Sequence, residues 1–132
     1  MKVRVQTMQE RTRFEYSIYP YTPTTEFYLT TSNYSMNNRV AIQMYYFDTE
    51  MCGYFPYATL TVNLSDAPLT NSNCVYIDTN NCPWALDLLI DQLKVGKLTQ
   101  KVAFFGRCHY PELELNPDEL YKYIPYKGEI SK

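Results

Sequence analysis

The sequence has little of what most catalytic sites require. His109 is its one histidine, so no set of imidazoles can hold a catalytic metal or run a proton relay of several steps. Four scattered glycines leave no Gly-rich loop to cradle a phosphate, and no serine-nucleophile elbow occurs. No run approaches the ~18 consecutive apolar residues of a membrane helix. Met1-Lys2-Val3-Arg4 leads into polar sequence, without the apolar core of a signal peptide. The expected location is cytoplasmic, with no membrane partner. Charge of one sign is scarce too: 12 basic against 14 acidic residues give a net −2, without the broad positive field that binding to a phosphate backbone uses. Direct nucleic-acid binding is disfavoured, although Lys2, Arg4, Arg11 and Arg13 face only Glu10 and make the first thirteen residues locally basic.

What is abundant is tyrosine. Fourteen Tyr, six Phe and one Trp raise the aromatic share to 16 %, within a 45 % hydrophobic chain of 132 residues, enough apolar material for one domain and one core. Aromatics favour strands, and tyrosine also supplies contact area with few rotatable bonds and a polar tip, which enriches it at interfaces. The Tyr- and Pro-rich front, Tyr16, Tyr19, Tyr21 and Tyr28, is therefore the first candidate partner-binding surface, and Tyr45, Tyr46, Tyr54 and Phe55 the second.

Alternation predicts strands around Val3 and Val5, Phe14 to Tyr19, Glu26 to Thr31 and Arg39 to Phe47. Asp48 to Pro56 reads as a break. Tyr57 to Leu64 is the cleanest alternation, placing Leu60, Val62 and Leu64 on one face. Cys74 to Asp78 and Leu98 to Cys108 are further strands, with Gly106 a candidate bulge. Between them Pro83 marks a helix start and Gly96 a helix end, and Ala85, Leu86, Leu89, Ile90 and Leu93 form an apolar stripe. Asn116-Pro117-Asp118-Glu119 starts a second, short helix ending before Pro125. The fold class expected is α+β: an antiparallel sheet with one principal helix packed on it and a short C-terminal helix.

Cys108-His109 brings a thiol beside an imidazole, but neighbours in a strand point to opposite faces, so they are not expected to act as a nucleophile and base. Asp78, in Asp78-Thr79-Asn80-Asn81, is expected to organise a turn. No cofactor is expected. The four cysteines, Cys52, Cys74, Cys82 and Cys108, lack the paired C-x₂₋₄-C knuckle of zinc modules and read as separate thiols; structural zinc, with His109 as a substitute ligand, is the alternative.

Three stretches carry a family resemblance: Tyr57 to Leu64, Tyr76-Ile77-Asp78-Thr79-Asn80-Asn81-Cys82-Pro83-Trp84-Ala85, and Phe105-Gly106-Arg107-Cys108-His109-Tyr110-Pro111. Across residues 40 to 120 the chain resembles the domain-of-unknown-function family numbered 4313, found on conjugative elements and phages. The family's Gly-Phe-Cys-Thr-Tyr-Pro-like segment has Arg107 and His109 replacing two positions here, and the first 38 residues look like an addition. The resemblance implies mobile-element cargo without known activity. The expected function is a non-enzymatic inhibitor that binds a host protein and counters host defence, with a Cas nuclease as the named candidate partner and anti-CRISPR action as the mode. The alternatives are a zinc-containing or nucleic-acid-binding accessory protein, or a small enzyme.

Overall fold

Period-two alternation over Thr25–Asn33 and Val40–Asp48 gives each strand one apolar face, and two such strands can bury that face only against another layer. In the computed structural model, which describes residues 14–18, 25–48 and 50–124, that other layer is a second sheet. β1 (Phe14–Tyr16), β2 (Thr25–Asn33), β3 (Val40–Asp48) and β4 (Gly53–Thr59) form one antiparallel sheet in the order β1-β2-β3-β4. β5 (Thr61–Val62), β6 (Cys74–Ile77), β7 (Gly96–Phe105) and β8 (Cys108–Leu115) form the other, in the order β5-β6-β8-β7. Phe27, Leu29, Ile42 and Met44 from the first sheet meet Val75, Ile77 and Leu113 from the second in one buried cluster, with Leu60 between them. The strand predicted around Val3 and Val5, and residues 19–24 of the predicted connection, lie outside the described residues.

The expected α+β architecture is therefore corrected to a mainly antiparallel β fold of two sheets. The segment read as a principal helix over 83–96 is two short turns: Ala85 and Leu86 are α-helical, and a π-helix spans Asp87–Gln92. In the π turn the Leu93 amide donates to the Leu88 carbonyl, five residues back, at 2.9 Å. That wider spacing puts Leu88 into the core with Leu89 and Leu93, whereas Leu86 and Ile90 of the predicted stripe are only half-buried. Gly96 does not end the helix. Lys94 takes the left-handed position (φ 57°), and Gly96 opens β7, where a Cβ would stand 2.9 Å from Leu113 Cγ.

Tyr57 to Leu64 is not one strand. The Leu60 amide donates to the Ile42 carbonyl of the first sheet at 2.9 Å, and its own carbonyl accepts from the Asp78 amide, beside the second sheet, at 2.8 Å. The chain crosses between sheets at this fully buried residue, and past it Thr61 is buried while Val62 and Leu64 are only half-buried. Asp48 to Pro56, expected to be a break, supplies a tight turn and then the start of β4. Pro56 is tolerated there because β4 is an edge strand that needs no ladder donor on its outer side. Asp78 does organise the turn after β6: its carboxylate accepts from the Asn81 amide and side chain at 3.3 and 2.9 Å. Asn116 caps the short α1 (Pro117–Leu120), accepting from the Glu119 amide.

Candidate functional site

Of the predicted aromatic surfaces Tyr28 is buried, while Tyr16, Tyr45, Tyr46, Tyr54 and Phe55 are half-buried and each meets a neighbouring ring. On β2 and β3, Tyr28 and Tyr45 sit directly opposite on the face away from the core, stacked at 5.5 Å with their planes 10° apart. Tyr54 meets Tyr28 edge-on at 5.0 Å and Phe47 at 4.9 Å. This enclosure leaves Tyr28 4 % exposed; its hydroxyl is buried with no hydrogen-bond partner among the described residues, and burial, then the neighbouring Tyr54 and Tyr45 hydroxyls, push its pKa well up. Tyr28 therefore has no free surface for a partner, contrary to the expectation. Tyr46 packs against the core and meets Phe55 at 6.0 Å. Tyr16 lies against Trp84 and donates its hydroxyl to Asp87 Oδ2 at 2.7 Å, and burial followed by that bond raises its pKa. Tyr19 and Tyr21 fall outside the described residues.

No disulfide joins the four cysteines. Cys52 is exposed in the β3–β4 turn, Cys74 and Cys82 are buried, and Cys108 is half-buried at the start of β8. Burial raises the thiol pKa of both Cys74 and Cys82, which holds them protonated and inert. Among the described residues no three Cys, His, Asp or Glu side chains converge as a metal site. Cys108 and His109 do face opposite ways: His109 stacks edge-on against Phe104 at 5.0 Å, while Cys108 bonds Tyr110 and raises its pKa.

The surface that is bare is one the aromatic count did not single out. β7 and β8 close in a tight hairpin in which Phe105 pairs with Cys108 around Gly106-Arg107. Gly106 takes φ +61°, the conformation that reserves the first turn position for glycine. At this tip Phe104 is 71 % and Phe105 70 % exposed. The strand then carries exposed Val102 and Leu98 along the same edge of the sheet. An open groove of about 510 Å³ runs beside the tip, with Tyr76 and Tyr110 among its lining, the Asn63–Pro68 loop on one side and Lys101–Phe105 on the other.

The groove is held open by a polar frame. The Pro68 carbonyl accepts from Tyr76 Oη and Lys101 Nζ. Two residues on, the Thr70 amide and hydroxyl donate to Glu112 at 2.7 and 2.5 Å, and the Thr99 hydroxyl donates to the same carboxylate at 2.6 Å. Burial of Glu112 alone would raise its pKa, but these three donors and nearby Lys101 outweigh it and hold it below 4.5. Thr99 and Lys101 reach inward because β7 bulges between Leu98 and Val102, with Gln100 at φ 78°. Glu112 is an anchor for the loop.

A sequence signal for this region exists. Lys94, Lys97, Lys101 and Arg107 stand with no acidic residue between positions 94 and 109, in a chain whose net charge is negative. The run Val102-Ala103-Phe104-Phe105 looks the same in sequence whether a strand is buried or bare, so only the charge pattern set it apart.

The family model for a domain of unknown function, DUF4313, matches residues 28–130. No curated protein and no solved structure matches the chain. Among the described residues no helix is long and apolar enough to cross a membrane.

Proposed function

We propose that this chain, which belongs to the domain-of-unknown-function family DUF4313, is a non-enzymatic protein-docking module that engages a partner through the β7–β8 hairpin. One observation carries the reading: two large apolar rings, Phe104 and Phe105, stand about 70 % exposed at the tip of a tight hairpin beside an open groove. Exposed aromatics on a fixed scaffold are the kind of anchor that dominates protein interfaces. The partner class we favour is a host defence protein, with a Cas nuclease as the first to test and a mobile genetic element as the source of the chain.

The test is site-specific photo-crosslinking in cells, with the photoreactive residue at Phe104 and, as a control, at Met36, which is exposed far along the chain. Cross-links to a protein from position 104 and not from 36 are expected, together with loss of plasmid protection against Cas nucleases when Phe104 and Phe105 are changed to Ser. Equal cross-linking from both positions overturns the docking site. Small-molecule turnover abolished by Cys108→Ala or His109→Ala overturns the non-enzymatic reading.

A further inference from the structure

Strand β7 is the outermost strand of its sheet among the described residues, so one row of its backbone N–H and C=O groups has no strand beside it. Sheet edges of this kind are templates for another chain, and proteins usually blunt them with lysines and bulges. The first half of β7 is blunted in that way. Lys97 and Lys101 flank a bulge at Gln100, whose φ of 78° breaks the flat edge. The second half is not. Val102–Phe105 regains regular pairing with β8 in the register Val102↔Pro111 to Phe105↔Cys108, carries no charge, no proline and no glycine, and exposes Val102, Phe104 and Phe105.

Building on the docking reading above, we infer that Val102–Phe105 is a strand-addition site for an extended, acidic segment of a partner protein. Backbone hydrogen bonds to the free edge give affinity, and alternate side chains of the added strand meet Phe104 on one face and Phe105 on the other. Charge identifies the occupant. Arg107 stands exposed at the turn, Lys97 is largely exposed although it lies 3.9 Å from Glu114 across the strand pair, and Lys101, held by the Pro68 carbonyl, adds positive charge beside the groove, so an acidic strand is attracted and steered toward the site, chiefly by Arg107. A second copy is disfavoured by the same charges. Antiparallel pairing of two β7 edges about Ala103 and Phe104 would bring Lys101 and Arg107 of each copy together with no anion between them. A single-stranded nucleic acid needs rings aligned on one face to stack successive bases, whereas Phe104 and Phe105 are consecutive strand residues and face opposite ways.

The experiment is fluorescence anisotropy on the full chain with labelled peptides of about eight residues. Expected is binding of an alternating Glu-Val peptide, with loss of at least about tenfold for the Lys-Val counterpart and for Glu-Val peptides N-methylated at alternate residues in either register. N-methylation removes the strand's donors and leaves its side chains in place, so it separates strand pairing from mere charge attraction. Arg107→Glu, at an exposed turn position, should weaken the Glu-Val peptide about two- to fivefold. Absence of binding up to about 1 mM, equal binding of the N-methylated peptides, tighter binding of oligo-dT, or sedimentation of the chain as a dimer overturns the inference. Cross-links from position 104 that persist when the peptide does not bind overturn strand addition alone; loss of both removes the docking reading as well.

Discussion

Tyr28 on the first sheet is enclosed by Tyr45 and Tyr54, with Phe47 packed on Tyr54 at the exposed margin of the group, whereas Phe104 and Phe105 at the tip of the second stand about 70 % exposed, Phe104 meeting His109 edge-on. Both groups lie on strands, on faces or ends turned away from the core. They differ in what remains to be gained. A ring already enclosed by other rings has left water, and a partner can add little to it. A bare ring of ~200 Å² keeps several kcal/mol of burial in reserve at ~25 cal/mol per Å². Abundance of aromatic residues is thus a poor map of a docking surface. Their mutual packing decides which of them a partner can use.

Breaking the enclosed group should cost the most. Tyr28→Ala removes the ring that both Tyr45 and Tyr54 pack on, and a loss of about 3 kcal/mol in urea unfolding is expected. If stability instead holds and partner cross-linking from Phe104 falls, the first sheet carries the interface and the comparison is reversed. Glu112→Ala comes next. It strands three donors, on Thr70 and Thr99, and should cost about 2 kcal/mol. Because the folded pKa of Glu112 is lowered, its contribution is fully present above its ordinary value of 4.5 and disappears as pH falls through the lower folded value. The melting-temperature difference between the native chain and Glu112→Gln should therefore be largest near neutrality and narrow below pH 4.5. A difference that widens on acidification would contradict the anchor role. A smaller effect of opposite sign is expected from Tyr28→Phe. That hydroxyl is buried without a partner among the described residues, so removing it should stabilise the chain by about 1 kcal/mol.

Local chemistry was legible where it is self-contained. β2 and β3 follow from alternation, and Asn116-Pro117 and Asp78-Asn81 act as the caps and turns their side chains dictate. What alternation cannot carry is a change of sheet. Tyr57 to Leu64 keeps its pattern straight through Leu60, and only the long-range bonds of that residue to Ile42 and Asp78 divide it between two layers. The helix over 83–96 was overread for a related reason. Its stripe suits a 3.6-residue period, but the packing of Leu88 with Leu93 selects a wider turn, and Gly96 is small for the sake of Leu113. With half the supposed helix gone, a second sheet covers the core. The candidate site was half legible: four cations without an acid mark β7, yet whether Phe104 and Phe105 are covered depends on how far the hairpin projects past the core.

The smallest expected change in stability is the one that sharpens the comparison. Changing Phe104 and Phe105 together to Ser removes two rings that touch little in the free chain, so the unfolding free energy should move by less than about 0.5 kcal/mol. Loss of the exposed rings also lowers the tendency of this edge to recruit other chains, so solubility should hold or rise. Set beside Tyr28→Ala, the pair forms a two-way test: one variant unfolds easily at urea concentrations where the other is intact, and only the intact one loses its partner. A destabilisation of about 2 kcal/mol or more in the Phe104, Phe105 variant would place these rings with the tyrosines of the first sheet, as part of what holds the molecule together.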